Sequence, residues 1–131
     1  MAASYGSYDL KEGYAFAGEK FNKAIVIEYS VDSIFPSGEV YMVIYNKDKQ
    51  YKTLTFDAWV ESVSTEFNSG LGLFNISVEG EYGHEEILDM STIPTGQVKN
   101  FKADISDYEE IWIYTGLNPG SKVGFANVVI K

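Results

Sequence analysis

The chain has no cysteine, no arginine, one histidine and three prolines in 131 residues. Without cysteine there can be neither a disulfide framework nor a thiolate metal site, although this assigns no compartment. All ten basic residues are lysines, set against 19 acidic residues, for a formal net charge of −9. Nucleic-acid binding draws on clustered positive charge that displaces counterions, so that class is strongly disfavoured. Anionic membranes and polyanionic sugars are disfavoured for the same reason. No apolar run approaches the length of a membrane span, and no window holds the 3.6-residue stripe of an amphipathic helix. Met1-Ala2-Ala3-Ser4 lacks the charged and apolar regions of a signal peptide. Residues 1–4 read as a linker remnant before a domain cut from something larger.

What is present is apolar and aromatic. Hydrophobic residues make up 45% of the chain and aromatics 15%, with ten tyrosines. That supplies a core for one domain, residues 1–131, and leaves aromatics over for a surface. Residues 4–18 read as one or two short strands or an extended arm. Lys23 to Asp32 is a β-branched run expected to form a central strand. Phe35-Pro36-Ser37-Gly38 is a turn, Glu39 to Asn46 a strand, and Lys47-Asp48-Lys49 a polar hairpin tip. Strands follow over Lys52–Ser64, Leu73–Glu79, Glu86–Ser91, Val98–Ile105, the Trp112 stretch and Val123–Ile130. Turns at Asn68-Ser69-Gly70, Glu81-Tyr82-Gly83-His84, Pro94-Thr95-Gly96 and Asn118-Pro119-Gly120 separate them. About eight to ten short strands with regular turn signals predict an all-β fold, an antiparallel β-sandwich of two sheets.

Two strands carry the functional signal. In Glu110-Ile111-Trp112-Ile113-Tyr114 the isoleucines alternate with Glu110, Trp112 and Tyr114. Successive strand side chains point to opposite faces, so with the isoleucines in the core a tryptophan and a tyrosine face solvent. Either a loop or second layer covers them, or they form a flat platform kept open for a ligand; the second reading is adopted. In the Lys52–Ser64 strand, Leu54, Phe56, Ala58 and Val60 alternate with Thr55, Asp57, Trp59 and Glu61, which puts the other tryptophan on a polar side as well. A bulge near Asp57 could flip that parity. Sugar rings present axial C–H patches that a π face attracts, while amides and carboxylates at the rim bond the hydroxyls. Trp112, Tyr114 and Trp59, rimmed by Glu110, Glu61, Asn75 and Gln97, have the right types. The same aromatics could anchor a protein interface.

No catalytic constellation can be assembled. His84 falls in a turn beside acidic residues and reads as solvated. There is no G-x-S-x-G and no cysteine nucleophile. Glycoside hydrolysis needs only two carboxylates about 5–10 Å apart, and Glu61 and Glu110 are the pair to test. Asp9, Glu12, Asp32 and Asp104 are scattered candidates for calcium, without an EF-hand pattern, so neither a metal nor another cofactor is expected. Asn75-Ile76-Ser77 matches the N-glycosylation pattern by chance, inside a strand.

The order of strands, the stretch Phe101-Lys102-Ala103-Asp104-Ile105-Ser106-Asp107-Tyr108 and the closing strand Val123-Gly124-Phe125-Ala126-Asn127-Val128-Val129-Ile130 resemble the jelly-roll, galactose-binding-like carbohydrate-binding modules attached to cellulosomal and plant-cell-wall glycoside hydrolases. The resemblance implies a non-catalytic, monomeric, extracellular module. It would bind a neutral polysaccharide such as β-glucan or xyloglucan and bring an attached hydrolase to its substrate. Many such modules carry Asp, sometimes a calcium ligand, where this chain has Ala126. Counted from Lys23 in an eight-strand jelly roll, Trp112 lies on the seventh strand and Trp59 on the third, in opposite sheets. The second strand would then bring Tyr41 and Tyr45 beside Trp112, and the fourth Asn75 and Ser77. Either the count is off by one or Trp59 belongs elsewhere. The competing classes are a structural or docking sandwich in a multimodular extracellular protein, and a small glycan-active enzyme.

Overall fold

The computed structural model describes residues 6–29, 40–63, 70–80 and 83–131, and the side chains of 6–9 and 80 are left aside. Nine strands run through these residues: β1 (Gly6–Phe16), β2 (Glu19–Tyr29), β3 (Val40–Tyr45), β4 (Thr53–Ser62), β5 (Gly72–Gly80), β6 (Gly83–Asp89), β7 (Val98–Asp104), β8 (Glu110–Leu117) and β9 (Lys122–Ile130). They form two sheets, β1-β2-β9-β4-β7 and β3-β8-β5-β6, with every pairing antiparallel. Most sheet neighbours are distant in sequence, and this order is that of a jelly-roll β-sandwich. No helix among the described residues is long and apolar enough to cross a membrane.

Period-two patterning puts the core between the sheets. Leu54, Phe56, Ala58 and Val60 of β4 and Val123 and Phe125 of β9 meet Phe74, Ile76 and Val78 of β5 and Ile111 and Ile113 of β8. All are buried, and each larger side chain contributes about 1.5–3 kcal/mol by leaving water. Tyr29 adds a polar clamp within this core. Its hydroxyl donates to the Thr115 carbonyl at 3.0 Å and accepts the Val40 N–H at 3.1 Å, tying β2 to both β8 and β3. Buried Asn46 likewise donates to the Tyr51 and Ile105 carbonyls and accepts the Tyr51 N–H.

Three expectations change. Lys47–Lys49 is a 3-10 turn rather than a hairpin tip, because β3 and β4 lie in different sheets and the chain crosses between them there. The described part of residues 4–18 forms one long strand, β1, whose partner β2 is reached through Ala17 and Gly18, both at positive φ (52° and 80°). Two left-handed central residues make the tight turn that suits the twist of a hairpin. The irregularity near Asp57 exists, but the extra residue is on β9. Thr55 to Asp57 spans Val129 to Ala126, with Asn127 at φ 55°. The parity of β4 is therefore unbroken from Leu54 to Val60, and a second irregularity, between Val60 and Ser62, puts its extra residue on β4 itself. The expected turn at Phe35–Gly38, and Ser4, Asp32, Asn68, Ser69, Glu81 and Tyr82, lie outside the described residues.

Candidate functional site

The inward packing of Ile111 and Ile113 turns Glu110, Trp112 and Tyr114 onto the outer face of the four-stranded sheet. Register decides their company, because directly opposed strand residues share a face. From β3, Tyr41 opposes Tyr114, Val43 opposes Trp112 and Tyr45 opposes Glu110. From β5, Asn75 opposes Tyr114 and Ser77 opposes Trp112. From β6, Glu86 opposes Ser77, Asp89 opposes Asn75 and His84 opposes Glu79. Trp112, Tyr114, Tyr41, Tyr45, Glu110 and Asn75 thus converge on one surface.

Trp112 is not the open platform of that surface. Its indole is half-buried, with the Tyr41 ring stacked on it at a centroid distance of 4.6 Å and an interplanar angle of 23°. The His84 ring meets it edge-on, at 3.9 Å and 72°. Tyr41 comes from the strand beside β8, and His84 comes from the other side, two strands away. Strands lie about 4.8 Å apart, so the indole and imidazole bridge over β5 to meet. The rings that solvent reaches best are Tyr41, 49% exposed, and Tyr45, 68% exposed.

Beneath this layer lies a polar floor. Asn75 and Ser77 point outward from β5 yet are only 5% exposed, covered by their larger neighbours. The Ser77 hydroxyl donates to Asn75 Oδ1 at 2.5 Å. Trp112 Nε1 is sealed from solvent and has no acceptor among the described residues. A buried donor without a partner costs about 1–3 kcal/mol and is rare enough to need a reason. One end of the face runs into an acidic cavity of about 430 Å³ lined by Lys49, Glu79, Asp107, Tyr108, Glu109 and Glu110. No group of three or more side chains suited to hold a metal ion occurs among the described residues.

Trp59 and Glu61 belong elsewhere, which corrects their grouping with Trp112. They sit on the outer side of the five-stranded sheet, and Trp59 is completely buried. The β1–β2 hairpin brings Tyr14, Phe16 and Phe21 over the indole, with near-parallel rings 6.1, 5.5 and 4.7 Å away. Its Nε1–H donates to Glu61 at 3.1 Å. Glu61 also accepts the Tyr14 hydroxyl and pairs with Lys122 at 3.3 Å. Burial, and then the Glu61 carboxylate, push the Tyr14 hydroxyl above its ordinary pKa. Burial pulls Lys122 down, but its hydrogen bond and charge pairing with Glu61 prevail and raise it. Trp59 and Glu61 are thus a capped satellite core. Two stacked sheets, about 10 Å apart, separate Glu61 from Glu110, so these carboxylates cannot flank one glycosidic bond.

Other candidates also disperse. Glu12 on β1 and Asp104 on β7 occupy opposite edges of one sheet, too far apart to share a calcium ion. The Asp104 carboxylate instead accepts the Ser106 hydroxyl and N–H, which holds it below the usual carboxylate range. Gln97 precedes β7 in the five-stranded sheet and is not a rim group of the Trp112 face. Asn75 of the glycosylation pattern is buried within β5. His84, expected in a turn, is in strand β6. Pairing of Gly80 with Gly83 puts it opposite Glu79, and continuing the β5 alternation through a two-residue hairpin would have placed it on this face.

The fold and face define a jelly-roll β-sandwich with an aromatic outer surface on its smaller sheet. The chain matches no protein-family model and no curated protein.

Proposed function

We propose that the outer face of the four-stranded sheet binds a neutral plant cell-wall polysaccharide, a β-glucan, xyloglucan or related hemicellulose, without chemical conversion. The observation that carries this reading is the convergence of Tyr41, Tyr45, Trp112 and Tyr114 on one sheet face above the Asn75–Ser77 pair. Exposed tyrosine rings suit the axial C–H faces of pyranoses, and an amide side chain beside them suits a hydroxyl. Glu79, Glu86, Asp89 and Glu110 on or beside the face, with a net charge of −9, repel uronate polymers and leave neutral ones as the fitting class. In this reading the domain is a monomeric, extracellular targeting module joined to a glycoside hydrolase.

Affinity gel electrophoresis in barley β-glucan, xyloglucan and glucomannan tests it, with polygalacturonate as the acidic control. At least one neutral polymer should retard the protein, and polygalacturonate should not. Truncating a stacked aromatic at a binding hot spot costs about 2–4 kcal/mol, at least tenfold in affinity. Tyr41→Ala and Tyr45→Ala should therefore abolish most of the retardation, and no reducing ends should be released. Unaltered migration in every neutral polymer, or retardation indifferent to both substitutions, would refute the reading.

A further inference from the structure

We infer that the glycan runs along β3, at the free edge of the four-stranded sheet, with Tyr41 and Tyr45 stacking on two different sugar rings of one chain. The inference rests on the glycan-binding reading of this face and adds the course and the linkage of the bound chain. Trp112 leaves no ring face for a sugar. Tyr41 stacks on it at 4.6 Å and 23°, and a centroid separation of only 3.9 Å puts the His84 ring over an indole face as well. Two rings so close to the same face would touch each other, and no Tyr41–His84 ring contact occurs among the described residues. They arrive from opposite sides of β8 and take opposite faces of the indole.

Tyr41 differs, because its stack with Trp112 uses one face and the ring is still 49% exposed. Tyr45, at 68% exposed, has no ring stacked on it among the described residues. Both leave β3 on the same outer side, four residues apart, which is about 13 Å at roughly 3.3 Å per residue.

The backbone between them has a free side too. The Asn46 N–H donates to the Glu109 carbonyl at 2.7 Å, which fixes the phase of the β3–β8 ladder. Bonded and non-bonded pairs alternate in an antiparallel ladder. Met42 and Ile44 therefore bond β8, and the N–H and C=O groups of Tyr41, Val43 and Tyr45 point away from it. The Tyr29 hydroxyl, set between the Val40 N–H and the Thr115 carbonyl, fits the same phase. Among the described residues no strand lies beyond β3 to take those groups up. Open ring faces and hydrogen-bonding groups thus follow one line along the strand.

A single pyranose is far shorter than the Tyr41–Tyr45 spacing, so only an oligosaccharide of several units engages both rings. A β-1,4-linked chain is extended like the strand beneath it, whereas a β-1,3-linked chain curls away. The edge therefore selects β-1,4-linked backbones. Once one ring is engaged, the second contact is intramolecular and adds affinity without a new association step.

Titrations of the ¹⁵N-labelled protein with cellobiose, cellohexaose and β-1,3-linked laminarihexaose test this. Cellohexaose should bind at least about tenfold more tightly than cellobiose, and laminarihexaose should not share that gain. The backbone amides of Tyr41, Val43 and Tyr45 should move most, and those of β6, at the opposite edge, should stay. Tyr45→Ala should lose at least about tenfold for cellohexaose but no more than about twofold for cellobiose, which still has the Tyr41 ring. Cellohexaose binding unchanged in Tyr45→Ala, or shifts spread evenly from β3 to β6, would overturn the course along β3 and leave glycan binding standing. An equal gain with laminarihexaose would overturn the linkage. No response to cellohexaose would overturn the whole inference, and retardation in the neutral-polymer gels decides separately whether glycan binding falls with it.

Discussion

Gly124→Ala tests the buried Trp59 cluster directly, because the indole occupies the space a side chain would need. A Cβ at Gly124 would lie 2.3 Å from Trp59 Cε2 and Cζ2 and 2.6 Å from Nε1. Comfortable carbon contacts are about 3.5–4.0 Å, so the indole must shift by more than 1 Å. It has little freedom to do so. Tyr14, Phe16 and Phe21 stack around it, and Glu61 holds its N–H. Glu61 is itself fixed by Tyr14 and Lys122. Overpacking costs about 1–3 kcal/mol, and a weakened N–H to carboxylate bond adds about 1 kcal/mol or more. A loss of about 2–4 kcal/mol should lower Tm by roughly 8–15 °C in a domain of this size. Circular dichroism melts read that shift. Trp59→Phe in the same chain removes the clashing ring atoms, so the double variant should be less destabilised than the two single losses added, by about 1 kcal/mol or more. Glycan retardation measured below the melt should survive, since the proposed face belongs to the other sheet. A Gly124→Ala protein within about 0.5 kcal/mol of the parent, or strict additivity with Trp59→Phe, would refute the close-approach argument.

Tyr29→Phe should cost about 1–3 kcal/mol in urea unfolding, because it strands the Val40 N–H and takes a donor from the Thr115 carbonyl; an unchanged midpoint would show that the clamp contributes nothing. Stability should also decline at alkaline pH. Tyr14 and Lys122 both have folded pKa values above their ordinary 10.0 and 10.5, so in that range the native state holds more protons than the unfolded one. Their contribution is complete below about pH 10 and is lost as pH rises through the folded values. Melts between pH 9 and 12 should show this, and Glu61→Gln should flatten the slope; an equally steep fall in that variant would assign the loss to other groups.

Trp59 and Trp112 show where sequence reading stops. Each alternates with apolar neighbours and has a glutamate close by, and parity placed both correctly on outward faces. The jelly-roll strand order also placed Tyr41, Tyr45, Asn75 and Ser77 around Trp112, since sheet neighbours follow from topology. Parity says which way a side chain leaves its strand and nothing about what arrives above it. Trp59 is capped because the long β1–β2 hairpin carries Tyr14, Phe16 and Phe21 over it. Reading residues 4–18 as short strands or an arm removed that cover from view. A local clue was nonetheless present in β9, where Gly124 and Ala126 sit on the outward side. A buried indole lying across a sheet needs such a floor, because a larger neighbour would lift it into solvent. Trp112 has Val43 and Ser77 across from it and gains partial cover from Tyr41 and His84 instead. The decisive difference between the two tryptophans is therefore the size of the residues beside them and the reach of a distant hairpin. Neither enters a period-two count along a single strand.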